Sequence, residues 1–155
     1  MRAATVALAV VLALAAGCGG DDDGDDGGSA SGAERWAGPG TELGPLNAAA
    51  FEEHASSVDE PWERSPVTVA AEYTRIDQSQ ATVNSVSTRT AAEGGTRASA
   101  LVLEDGLQDD SVRARQYTLA LTRRDDGTWK LDSGTAEQRC QAGRGHVAFD
   151  ATPCT

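Results

Sequence analysis

The sequence predicts an α+β domain: an N-terminal helix or helices packed on a four-stranded antiparallel meander sheet. Three observations predict it. Apolar residues between Leu46 and Val58 recur at helical spacing. From Gln80 onward the period becomes two, in runs rich in Thr, Ser and Val. Short turn signals separate those runs, and strands joined by short turns pair antiparallel; Asp125-Asp126-Gly127 is the strongest of them.

Ala33 to Pro45 is punctuated by Gly38-Pro39-Gly40 and Gly44-Pro45 and reads as irregular. Trp36, with linker-like neighbours, is the tryptophan expected to be exposed; Trp62 and Trp129 are expected to pack. Leu46, Ala50, Phe51, His54, Ala55 and Val58 form one stripe, and Asn47 is a suitable N-cap, so a helix is predicted over about 47–58. Ser65-Pro66 is a helix start, with Ser as cap and Pro at the first position. The stretch 66–76 fits a helix, yet Val67, Val69, Ala71 and Tyr73 alternate as a strand would, so both readings stand. Strands are predicted over 81–90, 96–103, 111–124 and 128–138, the last two turning Tyr117, Leu119, Leu121, Trp129 and Leu131 inward. The preceding helices are the only cover for one face of the sheet.

A chain of 155 residues allows one small domain at most. With 24 acidic and 13 basic residues the net charge is −11, which argues against a nucleic-acid binder, because such a protein needs a basic surface to displace counterions from phosphate. Two histidines and three cysteines without CxxC spacing exclude multi-histidine and zinc-cluster sites, so no metal and no cofactor are expected. Past residue 33 the charge is uneven: 34–110 holds 14 acids and 5 bases, 111–155 holds 5 acids and 7 bases.

The first seventeen residues read as an address. Arg2 precedes a fourteen-residue run, Ala3–Ala16, whose one polar residue is Thr5. That is short of the ~20 residues needed to span a bilayer and fits a signal peptide. The run ends Ala15-Ala16-Gly17-Cys18, which resembles the lipobox of bacterial lipoproteins, with Ala15 where Leu is usual. The resemblance implies cleavage before Cys18, diacylglycerol on its thiol and a place on the extracytoplasmic face of the cell membrane. The alternative is an ordinary secretory signal cleaved nearby. Residues 18–33 then hold the lipidated cysteine and a Gly/Asp-rich tether that cannot bury enough surface to offset chain entropy. Its five Asp lack the DxDxDG order of a calcium loop. Residues 34–155 remain as the single domain.

With Cys18 acylated, Cys140 and Cys154 are an even pair outside the cytoplasm and are expected to form a disulfide closing the loop 140–154. Asp109 to Cys154 resembles the C-terminal half of a group of exported lipoproteins of high-GC Gram-positive (actinobacterial) type. The matching parts are Asp109-Asp110-Ser111-Val112-Arg113, Asp126-Gly127-Thr128-Trp129, Arg139-Cys140 and Gly143-Arg144-Gly145-His146. The helix-then-meander order also resembles the cystatin-like/NTF2-like architecture. These resemblances imply export and architecture; neither implies an activity.

No GxSxG, HExxH or P-loop occurs, and no nucleophile–base pair is apparent, so a non-enzymatic module is expected. Its partner would be an envelope protein or a small ligand, and its expected state is a monomer. The candidate contacts are Arg113, Arg115, Arg144 and His146. The arginines on or beside the last two strands, Arg113, Arg115, Arg123, Arg124 and Arg139, either fork a carboxylate or phosphate or pair with cross-strand acids such as Asp132 and Glu137. His146, inside the disulfide loop, either serves a site or bonds a backbone carbonyl. His54 reads as a core or boundary histidine. Two alternatives stay open: an NTF2-like enzyme with a cavity between helix and sheet, its acid or base drawn from His54, Tyr73 or an acid, and a passive envelope spacer.

Overall fold

The computed structural model describes residues 35–92 and 94–155. The predicted signal segment, Cys18 and the tether lie outside the described residues. In chain order the elements are β1 (Gly44–Pro45), α1 (Ala48–Ser56), a 3-10 turn (Pro61–Arg64), α2 (Pro66–Thr74), a second 3-10 turn (Ile76–Gln78), β2 (Val83–Thr90), β3 (Arg97–Asp105), β4 (Val112–Arg123) and β5 (Trp129–Cys140).

Among the described residues the predicted four-stranded sheet is corrected to five strands, in the order β1-β5-β4-β3-β2, all antiparallel, beside only two α-helices of nine residues each. The fifth strand is Gly44–Pro45, which pairs with Ala136 and Thr135 at the edge of β5. Two residues carry no periodicity, and Gly-Pro reads as a turn. Proline is nevertheless admissible at a sheet edge, where no neighbour requires its missing N–H. The next residue continues the pairing: the Leu46 N–H donates to Gly134 O at 2.9 Å. Glycine at 134 makes this approach possible, because a Cβ there would lie 2.6 Å from Leu119 Cδ2 and 3.0 Å from Leu46 Cδ1.

The helices start for local reasons. Asn47 Oδ1 accepts the Ala50 N–H at 3.2 Å, capping α1. Residues 66–74 are helix rather than strand, with Pro66 in the first turn; Ser65 precedes it but makes no side-chain cap bond. Arg75 ends α2 in the left-handed region (φ 55°), a conformation costing a non-glycine residue about 1–2 kcal/mol. Its side chain explains the residue: it is buried and reaches Glu72 (2.6 Å) and Asp77 (3.0 Å).

The strands are two-faced. Along β3, Ala98, Ala100, Val102 and Glu104 are buried while Arg97, Ser99 and Leu101 are exposed. The buried side meets Tyr117, Leu119 and Leu121 of β4, Trp129 and Leu131 of β5, and the helical Phe51, Val69 and Tyr73 in one core. Trp36 is not exposed as expected. It is half-buried, stacks on Tyr73 at 5.9 Å between centroids, meets Phe51 edge-on at 5.3 Å, and donates its Nε1–H to Tyr73 O at 2.8 Å. A linker-like neighbourhood in sequence does not report which aromatic rings wait in space.

Candidate functional site

Register assigns each side chain to a face, since directly opposed residues point the same way. Opposite the core, β2 to β5 present Ser87, Leu101, Thr118 and Thr135 in one row, and Arg89, Ser99, Ala120 and Ser133 in the next. Neither helix covers these rows, and all but Arg89 are small or mid-sized side chains. Two open grooves adjoin there. One, of about 500 Å³, is lined by Arg89, Arg97, Ser99, Ala120, Thr122 and Asp132. The other, of about 330 Å³, is lined by Ser87, Arg89, Ser99, Leu101 and Thr118 among others. Arg89 and Ser99 belong to both. The walls combine arginine stems and alanine with hydroxyls, and two guanidinium groups border the larger groove. Such a lining suits an anionic group carried on an extended or apolar body.

Charge is divided across the sheet, which resolves the unevenness seen along the chain. The segment 35–81, holding both helices, has eight acids and three arginines. The outward face carries Arg89, Arg97, Arg113, Lys130 and Arg139 against Asp105, Asp132 and Glu137, a net of +2 among the described residues.

The predicted contact residues do not converge. Arg113 and Arg139 meet at Asp105 Oδ1, at 3.0 and 3.1 Å, on the outward face. The Arg113 guanidinium, helped by the Gly106 N–H and Arg139, holds the Asp105 carboxyl below its usual range. Arg139 also lies over the Phe149 ring, 5.4 Å from its centroid. Arg115 sits on the opposite, core-facing side, opposed to the buried Glu104 and Gln138. Its buried Nε has no hydrogen-bond partner among the described residues. Arg123 donates to Gly127 O at 3.5 Å in its own hairpin. Arg124 reaches across to α1, bonding Glu52 at 2.5 Å, while Glu52 also accepts the Leu131 N–H at 2.8 Å. Burial pushes the Glu52 carboxyl up against those two contacts. The acids expected across the strands are engaged elsewhere: Asp132 with Thr122 and Lys130, Glu137 with Gln116.

Cys140 and Cys154 stand at disulfide distance, their Cα atoms 5.5 Å apart. Gly145 packs against the pair, where a Cβ would fall 2.9 Å from Cys140 Sγ. Arg144 lies exposed in this loop, and its carbonyl takes the Thr155 N–H at 2.9 Å. His146 is a clamp: Nδ1 lies 2.8 Å from Ala148 O and Nε2 lies 2.8 Å from Thr152 O. The sulfurs of Cys140 and Cys154 and a His146 ring nitrogen lie within 4.8 Å of one another, but sulfurs bonded to each other offer no thiolate to a metal.

Only an imidazolium donates to both carbonyls, so these contacts, Ala148 first, raise the His146 pKa. A raised folded-state pKa contributes stability that is complete below the unfolded value and is lost as pH rises through the folded one. Loop 141–154 is therefore expected to loosen as pH climbs above the ordinary imidazole range. Amide exchange in that loop, followed by NMR across that pH range, checks this; exchange that rises no faster than the base-catalysed background refutes it.

His54 lines another open groove, of about 370 Å³, with Arg35, Glu60, Trp62 and Glu72. Its ring lies 6.2 Å from that of Trp36 and 6.4 Å from that of Phe51. Sequence reasoning passed over Arg89 and Arg97. A signal existed: both occupy odd positions on strands flanking one turn, and hairpin register places them on one face. The chain matches no protein-family model, and comparison with curated proteins and with solved structures finds no similar one. The expected likenesses to actinobacterial lipoproteins and to the cystatin-like/NTF2-like architecture draw no support from these comparisons.

Proposed function

We propose that the chain is an exported, non-enzymatic binding module, held at the extracytoplasmic face of the cell membrane by acyl chains on Cys18. Its partner surface is the outward face of the sheet, and its partner is anionic there. The observation that carries the partner surface is the pair of adjoining grooves bordered by Arg89 and Arg97, on the side of the sheet that bears net positive charge while the helical segment is acidic. Export and anchoring draw on the lipobox-like Ala15-Ala16-Gly17-Cys18 and the Gly/Asp-rich segment after it. The disulfide-distance pair accords with an oxidising compartment.

The test is crosslinking in intact cells with a photoreactive residue placed either at Ala120, on the outward face, or at Glu53, on exposed α1. Discrete adducts are expected from position 120 and none from position 53, and Arg89→Glu should abolish them. A passive spacer would give no discrete adduct from either position, and that result overturns the reading.

A further inference from the structure

Among the described residues the sheet has one edge that nothing closes. At the other end β1 and an isolated bridge between Gln138 and Asp150 cap β5. Among the described residues β2 pairs only with β3. Hydrogen-bond alternation shows which of its backbone groups are spare. The Arg123 N–H donates to Thr96 O at 2.7 Å, so even-numbered residues of β3 bond towards β4 and odd ones towards β2. Ala91 N–H to Arg97 O, at 3.4 Å, agrees. Val83, Ser85, Ser87 and Arg89 therefore bond β3, and the N–H and C=O groups of Asn84, Val86, Thr88 and Thr90 point off the edge. Most of the usual protections are missing from β2: it contains no proline and no lysine, its one charged residue is Arg89, and its register with β3 runs without a bulge. Its exposed positions include Val83 at 53%.

We propose that β2 is the docking edge for an extended acidic polypeptide segment, which adds antiparallel as a sixth strand and sets carboxylates against Arg89 and Arg97. This rests on the outward-face reading above and names the class of partner and how it binds. Main-chain pairing supplies the affinity, and alternate side chains supply the selection. The added strand extends the face that carries the two grooves, so every second residue of it lies beside Ser85, Ser87 and Arg89. Charge decides the occupant. Arg89 borders both grooves and Arg97 the larger one, and a carboxylate meets a guanidinium there through paired N–H groups. A second copy of this chain is the poorer occupant: Val83–Thr90 contains no acid, so β2 against β2 leaves Arg89 without a counter-charge.

The experiment titrates the full chain with a capped seven-residue peptide, TVDVDVT, and with the same peptide carrying Lys for Asp. The Asp peptide is expected to slow amide exchange at Asn84, Val86, Thr88 and Thr90 by at least about tenfold, and the Lys peptide to leave them unchanged. Asn84→Pro removes an outward N–H at an exposed position and should weaken binding at least about tenfold; Asp-peptide binding at full strength by a natively folded N84P variant overturns the proposal. A probe-side control avoids any folding question: N-methylation of alternate peptide amides should abolish binding in the frame that faces β2. If both N-methylated frames bind undiminished, strand addition is overturned while the outward-face reading stands. If Arg89→Glu leaves Asp-peptide binding intact, the outward-face reading fails as well. A peptide-free dimer in sedimentation that N84P dissolves assigns the edge to a second copy and also overturns the proposal.

Discussion

Replacing Cys154 with serine is expected to lower the melting temperature by roughly 10 °C. The cross-link spans a sequence separation of 14, and closing a loop of ~15 residues removes about 3 kcal/mol of unfolded-state entropy. For a domain of ~120 residues, each kcal/mol moves the midpoint by about 4 °C. The native loop is tied down by other bonds as well. Gln138 and Asp150 exchange backbone bonds at 2.9 and 3.0 Å, and the Cys140 N–H donates to His146 O at 2.9 Å. The variant should therefore fold to the same structure with a lower midpoint, since the lost term acts through the unfolded chain. Circular dichroism with and without a dithiol reductant measures it: reduction of the parent chain should reproduce the variant. A shift under about 2 °C in both would show that the cross-link does not constrain the unfolded ensemble.

Cys18→Ala is expected to move the protein entirely out of the membrane fraction, or to leave it there unprocessed with its signal attached. The physical basis is chain burial. Each CH₂ placed in the bilayer contributes about 0.8 kcal/mol, and one fatty chain holds only marginally where two hold firmly. The described residues contain no helix long and apolar enough to cross a membrane, so within them no spanning helix supplements the acyl chains. Fractionation with mass spectrometry of the N-terminal peptide separates the outcomes. Processed C18A protein that stays membrane-bound would remove lipid anchoring from the proposed function and leave the outward-face reading to its own test.

Much of the secondary structure was legible because its causes are local. Asn47 caps a helix by its own side chain, Pro66 starts one by its ring, and Asp125-Asp126-Gly127 turns the hairpin between β4 and β5. The two-residue strand at Gly44–Pro45 was not legible, because its reason is the exposed edge of β5, some ninety residues later in the chain. The arginines show the same divide. Spacing puts Arg113 and Arg115 two positions apart on one run, as if side by side. A register shift between Val112 and Ala114 on β4 adds a residue there, and the two guanidinium groups end on opposite faces.

The amino-acid order alone carried the cysteine pairing, the helix starts and the period-two strands, since each depends on neighbours in the chain or on a count of residue types. Which face of the sheet stays open, that Arg89 and Arg97 border one groove on it, and that acid gathers on one side and base on the other were settled only by the fold. β2 has small polar residues and one valine on each of its faces, so its alternation names two sides without saying which one a helix will cover. That choice is made by Phe51, Val69 and Tyr73, which bury against the far side of the sheet and leave the outward face to solvent.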